Sequence, residues 1–528
     1  FRDALGTPLP PGLPAALLEP VADPLGDLLR RYARTHGPFT SHDAAERFGL
    51  GVAVVESPLT RLAASGRVLE GEFRPGGRGR EWCDAEVLRT LRRRSLATLR
   101  KGVEPVEPAV FGRFLTAWHG VTAPRRGLDA LLDAIEQLQG APLTASVLER
   151  GILPARVAGY TPALLDTLIS AGEVVWTGAE PLGERDGRLR LFLADAHQAL
   201  MPPPSNDGLL DREARLVATL AKHGASFFGP LHEAAGGGFP QETVDALWSL
   251  VWRGLITNDT LHPLRAYVAG PDHRRRMPRD QRFRSRRLVP PSAEGRWSLV
   301  PTPPDQPTAH ATAVARQLLT RHGVVTRDVT ALDPMPGGFS AVYPVLKRLE
   351  ETGRVRRGYF VAGLGGAQFA EPGAVDRLRA EPLVTVVAAV DPANPYGALL
   401  DWPAWPGTAA RASRVAGARV VLVDGAAVAW IARGDRQLLV TLPDDEPDRG
   451  RVARALMGEL VRLAVTAPGE RRGWLIAEVN GAPAIESPIK DAALEAGFDA
   501  TAGGLQLRVA RVTPTPATAP AEDEAVDA

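Results

Sequence analysis

The apolar positions along the chain repeat one spacing four times. Each copy has two leucines three residues apart, a glycine four residues after the second leucine, and Val or Ile two residues later. The copies are Leu59, Leu62, Gly66 and Val68; Leu165, Leu168, Gly172 and Val174; Leu247, Leu250, Gly254 and Ile256; and Leu346, Leu349, Gly353 and Val355. Leucines at this spacing share one helix face, and glycine suits the left-handed residue that ends a helix. Each copy therefore predicts a helix, a glycine cap and a strand.

A second recurring mark precedes each copy. A His-Gly pair ends an earlier stretch of helical periodicity, at His36, His119, His223 and His322. The distances from this histidine to the first repeat leucine are 23, 46, 24 and 24 residues. The second interval is longer because it contains an insertion, placed within 124–150, which has helical periodicity itself.

The remaining residues of each copy complete a known motif. A short helix is predicted at 41–48, with Ser41 as its N-cap. After the glycine the chain alternates strand, turn and strand, at 67–73 and 81–83 in the first copy and at 173–177 and 189–193 in the second. Three helices followed by a hairpin are the order of a winged helix. The sequence therefore predicts a tandem array of winged-helix modules.

The pattern changes after about residue 382, where strands prevail. Apolar runs predict strands at 383–390, 419–423, 427–433, 436–442 and 473–479. The pairs Asp424-Gly425 and Asn480-Gly481 are typical of tight turns between strands. Helices are predicted at 451–465 and 487–495. We interpret this part as a small β-barrel-like domain, so the predicted fold class is α+β.

The repeats and this change of pattern divide the chain into six parts. They are a first winged helix with an N-terminal arm (1–102), a second with a helical insertion (103–205), a third with an Arg-rich extension (206–290), a fourth (291–381), the β-barrel-like domain with helices (382–510) and a disordered acidic tail (511–528).

Composition excludes several classes of protein. The chain has 528 residues, 45% hydrophobic and 23% charged, which is typical of several folded soluble domains. No apolar stretch is long enough to span a membrane, and no secretory leader opens the chain, so we expect a cytoplasmic protein. The single cysteine, Cys83, excludes an internal disulfide and a Cys-based zinc site, and we expect no metal. The first residue is Phe1, which suggests a fragment of a longer protein.

The net charge is only +1, so nucleic-acid binding would depend on local basic patches. The strongest patch lies at 274–287, where Asp280 is the only acidic residue and Phe283 could stack on a base. Its eight arginines are Arg274, Arg275, Arg276, Arg279, Arg282, Arg284, Arg286 and Arg287. We interpret this patch as a linker or an extended wing that contacts DNA. A contact with another subunit and a plain solvated linker remain alternatives.

Two weaker patches lie in the first module. Arg92 and Arg93 belong to an amphipathic helical stretch whose basic face could contact DNA or simply face solvent. Arg78 and Arg80 stand in the predicted wing turn, and wings often touch the DNA backbone. The third helices of the modules are less basic, so several modules are expected to be scaffold.

The most specific motifs lie in and after the fourth repeat. They are GGFSAVYPVL at 337–346, GRVRRGYF at 353–360, GLGGAQF at 363–369 and DPANPYG at 391–397, together with DPLGDL at 23–28 and RTHGPFT at 34–40. These stretches resemble the distal region of bacterial large helicase-related (Lhr-type) helicases. The resemblance covers the chain from about residue 1 to about residue 508.

The resemblance implies a superfamily 2, ATP-dependent, 3′-to-5′ DNA repair helicase whose N-terminal half carries the motor and which forms homo-oligomers. Its C-terminal half is similar in architecture to winged-helix DNA glycosylases of the AlkZ type. This chain has no G-x-x-x-x-G-K-[ST] phosphate loop and no Gly-Lys dipeptide. ATP and magnesium are therefore expected only for a motor outside this sequence, and no cofactor is expected here.

The similarity to glycosylases suggests an alternative function, which needs a carboxylate or amide beside a flipped nucleotide. Asp391, Gln368 and Asp499 are weak candidates, since each stands in a turn where capping the backbone is the plainer explanation. Three hypotheses follow: a DNA-binding and oligomerisation module that acts on single-stranded or tailed duplex DNA, a glycosylase for damaged or uracil-containing DNA, and a scaffold that contacts only protein.

Overall fold

The computed structural model describes residues 1–15, 18–74, 79–91, 94, 104–202, 204, 206–270, 289–301, 306–378, 384–466 and 473–508. The chain divides into two compact units, Phe1–Glu104 and Pro105–Ala528. None of the helices within the described ranges is long and apolar enough to cross a membrane. The predicted acidic tail lies outside the described residues.

The first unit contains the first winged helix. Its elements are the helices α1 (Arg2–Leu5), α2 (Pro24–Thr35), α3 (Ser41–Phe48) and α4 (Val52–Ala64) and the strands β1 (Phe39–Thr40), β2 (Val68–Gly71) and β3 (Glu81–Asp84). Strand β3 lies between β1 and β2 and is antiparallel to both. The core of the module forms where α2, α3 and α4 bury one apolar face each, against Trp82 of the central strand.

The N-cap of α3 differs from the prediction by one residue. Thr40 caps the helix: its Oγ1 accepts the Asp43 backbone N–H at 3.2 Å, and the Asp43 carboxylate accepts the Thr40 N–H at 2.8 Å. This reciprocal pair is a capping box, which needs an acidic or amide residue three positions after the cap. The predicted cap Ser41 is already helical, and its buried hydroxyl instead accepts a hydrogen bond from the indole of Trp82 at 2.9 Å.

The second module begins the second unit. Its helices are α5 (Pro108–Trp118), α6 (Leu128–Leu138), α7 (Ala145–Val147), α8 (Pro162–Ser170) and α9 (His197–Leu200), with a π-helical turn at Leu148–Ile152. Its strands β4 (Leu143–Thr144), β5 (Val174–Leu182) and β6 (Asp186–Leu193) form an antiparallel sheet with β6 in the centre. Helix α6 confirms that the inserted stretch is helical.

The third module has a wing whose two strands are far apart in sequence. Its elements are α10 (Asp211–His223), α11 (Phe228–Ala234), α12 (Pro240–Trp252), α13 (His262–Ala269), a 3₁₀ turn at Pro291–Ala293, β7 (Ile256–Asn258) and β8 (Trp297–Leu299). Strands β7 and β8 pair antiparallel, across the boundary predicted at residue 290. The connection between these two strands therefore contains α13 and the Arg-rich segment.

Trp248 and Trp252 of α12 belong to the core of the second unit, as predicted for two aromatic residues one helical turn apart. Both are buried, and their ring centroids lie 5.4 Å apart. The indole N–H of Trp248 donates to the carbonyl of Ser292 at 2.8 Å, which fixes the returning chain against the helix.

The fourth module repeats the order of the others. Its elements are α14 (Pro307–His322), a 3₁₀ turn at Arg327–Ala331, α15 (Phe339–Glu351), α16 (Pro372–Arg377), β9 (Val324–Val325), β10 (Arg356–Gly358) and β11 (Gln368–Ala370). Strand β11 is central and antiparallel to β10 and β9. In all four modules the repeat glycine after the third helix has a positive φ, between 68° and 79°. The predicted glycine caps are therefore confirmed.

The last part of the chain consists of two sheets and two helices. Its strands are β12 (Val384–Ala388), β13 (Arg419–Val423), β14 (Ala426–Ile431), β15 (Gln437–Val440), β16 (Gly473–Ile476), β17 (Glu478–Val479), β18 (Ala482–Pro483), β19 (Asp499–Thr501) and β20 (Gly504–Arg508), and its helices are α17 (Asp448–Thr466) and α18 (Lys490–Glu495). Six strands form one sheet in the order β12-β13-β14-β15-β17-β18, and three form another in the order β16-β20-β19. Among the described strands neither sheet closes on itself, so the closed barrel remains unconfirmed.

The two turns predicted in this part are confirmed. Asp424 and Gly425 have φ angles of 52° and 85°, and Asn480 and Gly481 have 54° and 79°. Two successive positive φ angles are typical of the type I′ turn, which favours Asn-Gly and Asp-Gly because other residues are strained there.

Candidate nucleic-acid interface

Most of the predicted DNA-contacting arginines lie outside the described residues. This applies to all eight arginines of the Arg-rich segment and to Arg78, Arg92 and Arg93. Arg80 is described: its Nε donates to Glu70 Oε1 at 2.6 Å, and its guanidinium carbon lies 5.3 Å from the centre of the Trp82 ring. Its charge is thus partly balanced at the end of the wing strand, and its role on DNA stays a prediction.

The fourth module has the clearest basic surface in the described part of the chain. Helix α15 exposes two basic side chains, and the turn and wing strand that follow it expose three more: Lys347, Arg348, Arg354, Arg356 and Arg357. Two carboxylates oppose them, Glu351 at 3.0 Å from Arg348 and Glu350 at 3.9 Å from Arg357. The helix and the wing together keep a surplus of positive charge. We call these five basic residues the fourth-module basic face.

The corresponding helices of the second and third modules lack such a surface. Helix α8 contains no basic residue, and its Asp166 pairs with Arg265 at 2.8 Å. Helix α12 exposes Glu242 and Asp245 and also contains no basic residue. Neither helix therefore supplies a cation of its own to the phosphate backbone. The expectation that several modules act as scaffold agrees with this distribution of charge.

A wide cleft of about 1240 Å³ lies between the second and third modules. Arg150 and Arg185 line it and are exposed, and neither has an ion-pair partner among the described residues. Gly270 and Pro290 also line this cleft. The Arg-rich segment therefore leaves and rejoins the described chain at the border of the cleft.

The candidate catalytic residue Asp391 is fully buried. Its two carboxylate oxygens accept hydrogen bonds from both terminal nitrogens of Arg156, at 2.7 and 2.9 Å. One of these oxygens also accepts the Ala393 backbone N–H at 2.7 Å, which closes the Asp-Pro turn. A carboxylate with these bonds is satisfied within the protein. The geometry is that of a structural ion pair: its two parallel hydrogen bonds fix both side chains, and solvent cannot reach them.

The other two candidates differ from each other. Gln368 is fully buried in β11, where its amide bonds the backbone of Phe360, Val361 and Leu364 at 2.7 to 3.0 Å. It therefore holds the base of the fourth wing. Asp499 begins β19 and is exposed, and no hydrogen bond or ion pair engages its carboxylate within the described residues. Of the three candidates, Asp499 alone presents a carboxylate to solvent.

Sequence reasoning missed a buried polar junction between the second and fourth modules. His119 follows the last residue of α5 and accepts one hydrogen bond from Arg156 at 3.0 Å, and His322 ends α14 and bonds Asp333 at 2.6 Å. Arg321 completes the junction by donating to Asp333 and to the carbonyl of Gln139. The His-Gly marks were the available signal, since two of the four, His119 and His322, are wholly buried here.

Burial controls the charge state of this junction. It lowers the pKa of His119 well below its ordinary value, and the nearby Arg156 lowers the pKa further. The pKa of His322 is also lowered by burial, although the bond to Asp333 opposes this effect. Burial alone would raise the pKa of Asp333, but Arg321 and His322 outweigh it and lower the pKa to about 2. Both imidazoles are thus neutral near pH 7, and the carboxylate is ionised.

Within the described ranges no three His, Cys, Asp or Glu side chains are grouped so that they could hold a metal ion. The junction offers no nucleophile beside a base, and its charged groups are paired. Its arrangement serves to position the modules. The exposed positive charge lies elsewhere, on the fourth-module basic face and at the border of the cleft.

Comparison with known proteins agrees with the fold. Residues 106–194 and residues 304–384 each match a family model described as large helicase-related protein, winged-helix domain. Over 96% of its length the chain is 42% identical to the Lhr helicase/probable uracil glycosylase of Mycolicibacterium smegmatis and 36% identical to the Lhr helicase/uracil glycosylase of Escherichia coli. It spans 35% of the length of each of these curated relatives. The chain therefore belongs to the large helicase-related (Lhr) protein family.

Proposed function

We propose that the chain is a DNA-binding part of an Lhr-type repair helicase, and that it acts beside an ATP- and magnesium-dependent motor. The observation that carries this proposal is the fourth-module basic face, which lies on the third helix and wing of a segment that matches an Lhr winged-helix model. In winged-helix proteins these two elements are the ones that approach DNA.

The distribution of charge favours contacts to the DNA backbone. Five basic side chains on one module can pair with several phosphates, and each pairing releases counterions. The third helices of the second and third modules, α8 and α12, carry no comparable set of donors for base edges. We therefore expect binding to single-stranded or tailed duplex DNA with little sequence preference and strong dependence on salt.

The first test is the triple substitution Lys347→Ala, Arg354→Ala and Arg356→Ala. These side chains are exposed and have no ion-pair partner in the described ranges, so the change should leave the fold intact. Fluorescence anisotropy with labelled single-stranded and tailed duplex DNA should show about tenfold to hundredfold weaker binding. The slope of log affinity against log salt should become shallower by about two to three, because each lost phosphate contact removes nearly one unit.

A matched control removes three arginines from the last domain, Arg433, Arg436 and Arg454. They too are exposed and without an ion-pair partner among the described residues. This triple should change the net charge equally and the affinity by less than about threefold. If both triples weaken binding alike, the effect comes from net charge and the fourth module has no special role. If the wild type fails to bind at low salt, the proposal is wrong and a protein-only scaffold remains.

A second candidate function is release of uracil from DNA. The names of both relatives include a uracil glycosylase, and one candidate carboxylate of this chain, on Asp499, is open to solvent. A glycosylase needs such a group to position water or to stabilise the positive charge that develops on the sugar. Asp391 and Gln368 are closed to a substrate, since their polar atoms are engaged within the protein.

The test is incubation with a uracil-containing oligonucleotide, followed by alkaline cleavage of abasic sites. Wild type should produce cleavage, and Asp499→Asn should reduce the rate by about a hundredfold or more, as expected when a catalytic group is lost. Asp491→Asn, on the surface of helix α18, is the matched control and should keep the full rate. Unchanged release by Asp499→Asn would exclude this residue, and no release by wild type would exclude the activity.

Three further properties belong to the same proposal. We expect the chain to form homo-oligomers, to fold its last domain as a partly open barrel, and to work in the cytoplasm. Self-association is the most direct of these to measure, by sedimentation over a hundredfold range of protein concentration. A single monomeric species throughout that range would contradict it.

A further inference from the structure

A small pocket lies on the fourth module, at the start of helix α15. Its volume is about 370 Å³, and its walls are Arg327, Phe339, Ser340, Tyr343, Gly366 and Ala367. These residues come from the 3₁₀ turn before the helix, the first two turns of the helix and the loop between the two wing strands. The pocket is thus part of the module that carries the basic face.

The polar groups in this pocket have no partners within the protein. No hydrogen bond or ion pair engages the side chains of Arg327, Ser340 or Tyr343 among the described residues, and Arg327 and Ser340 are exposed. Three donors of different kinds therefore converge on one small space. The first backbone N–H groups of α15 add to them, because the N-cap Gly338 has no side chain to accept a hydrogen bond. This set of donors suits an anion.

The same pocket also has an aromatic wall. The rings of Phe339 and Tyr343 are half-buried, with centroids 6.0 Å apart, and Tyr343 rests on Phe369 at 5.9 Å. Phe369 belongs to the central wing strand and is fully buried, so it supports the wall from behind. The planes of Phe339 and Tyr343 are tilted by 59°, so one ring can stack on a planar group while the other contacts its edge.

An anionic end and a planar end are the two parts of a nucleotide. A base within paired DNA keeps its neighbours on both faces, and it could not reach an aromatic wall. We propose that this pocket holds one unpaired nucleotide of a bound DNA strand, with the base against Phe339 and Tyr343 and the phosphate against Arg327. This inference rests on the proposed function, and it adds the structural feature of DNA that the module would recognise.

The third module provides an internal comparison. It has the same Gly-Gly-Phe sequence before its third helix, at Gly237, Gly238 and Phe239. Phe239 is the N-cap of helix α12, and its side chain is 77% exposed to solvent. Phe239→Ala therefore removes the same type of side chain, one position earlier at the start of the third helix of another module.

The experiment uses the full chain and three duplexes of one length. One is fully paired, one has a single unpaired thymidine, and one has an abasic tetrahydrofuran in place of that thymidine. The abasic duplex keeps the phosphate and the bulge and lacks only the base. Wild type should bind the thymidine bulge about tenfold more tightly than the abasic bulge, which is within the range of one base stacked on an aromatic side chain.

The variants separate the two ends of the pocket. Phe339→Ala should lower affinity for the thymidine bulge to that for the abasic bulge, whereas Phe239→Ala should leave the preference unchanged. Arg327→Ala should weaken binding of both bulges and spare the paired duplex. Because Phe339 is half-buried, circular dichroism should confirm that its variant is folded, and the exposed Arg327 gives an independent test if it is not.

The outcomes are distinct. Equal wild-type affinity for the thymidine and abasic bulges overturns the inference but leaves the proposed DNA binding intact. Equal effects of Phe339→Ala and Phe239→Ala on the preference for the thymidine bulge have the same meaning. If Arg327→Ala also weakens binding of the fully paired duplex, Arg327 makes only a general phosphate contact. That result overturns the inference as well. Absence of binding to all three duplexes overturns the inference, and absence of binding to single-stranded and tailed duplex DNA as well contradicts the proposed function itself.

Discussion

Replacement of Asp391 by alanine is expected to lower the free energy of unfolding by about 3–5 kcal/mol. The substitution leaves the guanidinium of Arg156 buried without its counter-charge, since the side chain of Arg156 is only 2% exposed. Water cannot reach the cation to replace the lost carboxylate, and the turn at Ala393 loses its acceptor as well. Chemical unfolding followed by tryptophan fluorescence would measure the change.

The same unit contains a matched surface pair, Arg125 and Asp133, whose atoms approach to 2.5 Å while both side chains are more than half exposed. Asp133→Ala should lower the free energy of unfolding by less than about 1 kcal/mol, because water and salt screen an exposed pair. The double variant Arg156→Met with Asp391→Leu should recover most of the loss, since it removes both buried charges. If Asp391→Ala lowers the free energy of unfolding no more than Asp133→Ala does, the buried pair of Arg156 and Asp391 does not stabilise the fold.

This prediction also separates two roles of Asp391. If Asp391 is a positioning residue, its substitution should destabilise the protein, and the rate of base release should fall only as far as the folded fraction falls. A catalytic carboxylate would behave in the opposite way, with Asp391→Asn well folded and inactive. Measurement of both quantities on one preparation decides between these roles.

Substitution of seven arginines in the Arg-rich segment is the prediction with the largest expected effect on DNA binding. The variant replaces Arg274, Arg275, Arg276, Arg282, Arg284, Arg286 and Arg287 with alanine. If about four of them contact phosphates, the salt slope should become shallower by about three to four and affinity at low salt should fall by about a hundredfold or more. Anisotropy with tailed duplex DNA at 50 to 200 mM salt would measure both, because affinity falls over this range by about one decade for every two phosphate contacts.

The structure adds a reason to test this segment separately from the fourth module. It connects α13 to the 3₁₀ turn before β8 along the sequence, and the described residues Gly270 and Pro290 on either side of it line the cleft between the second and third modules. The control triple in the last domain, Arg433, Arg436 and Arg454, gives the loss of affinity per arginine removed elsewhere, with which the loss per arginine of this segment is compared. An unchanged slope would show that the segment is a linker or a protein contact, the two alternatives that its composition allows.

The local elements of this protein could be predicted because their causes are local. Leucines three residues apart place a helix face, and a glycine four residues later adopts the positive φ that ends it, as Gly66 and Gly353 do. The turns at Asp424 and Asn480 follow from two adjacent residues each. The predicted N-cap of α3 was wrong by one residue because Thr40 and Ser41 both carry a hydroxyl. The hydroxyl of Ser41 is instead bonded by Trp82, which is 41 residues away in sequence.

Features that join distant residues could not be predicted in this way. The second strand of the third wing pairs with a strand 38 residues or more before it, whereas hairpin rules expect a short turn. In the last part, β15 pairs parallel with β17, and nothing in the alternation of either strand specifies that partner. The predicted barrel therefore rested on the presence of strands, while closure depends on how they pair.

The candidate site shows the same division. The sequence alone determined that the chain contains repeated winged helices and that Asp391 stands in an unusual turn. Only the tertiary structure decided that Asp391 is closed off by Arg156, which is 235 residues away, and that His119 and His322 meet the same buried junction while His36 and His223 stay exposed. Helix and turn preferences act between residues close in sequence, whereas burial and ion pairing depend on which surfaces meet after folding.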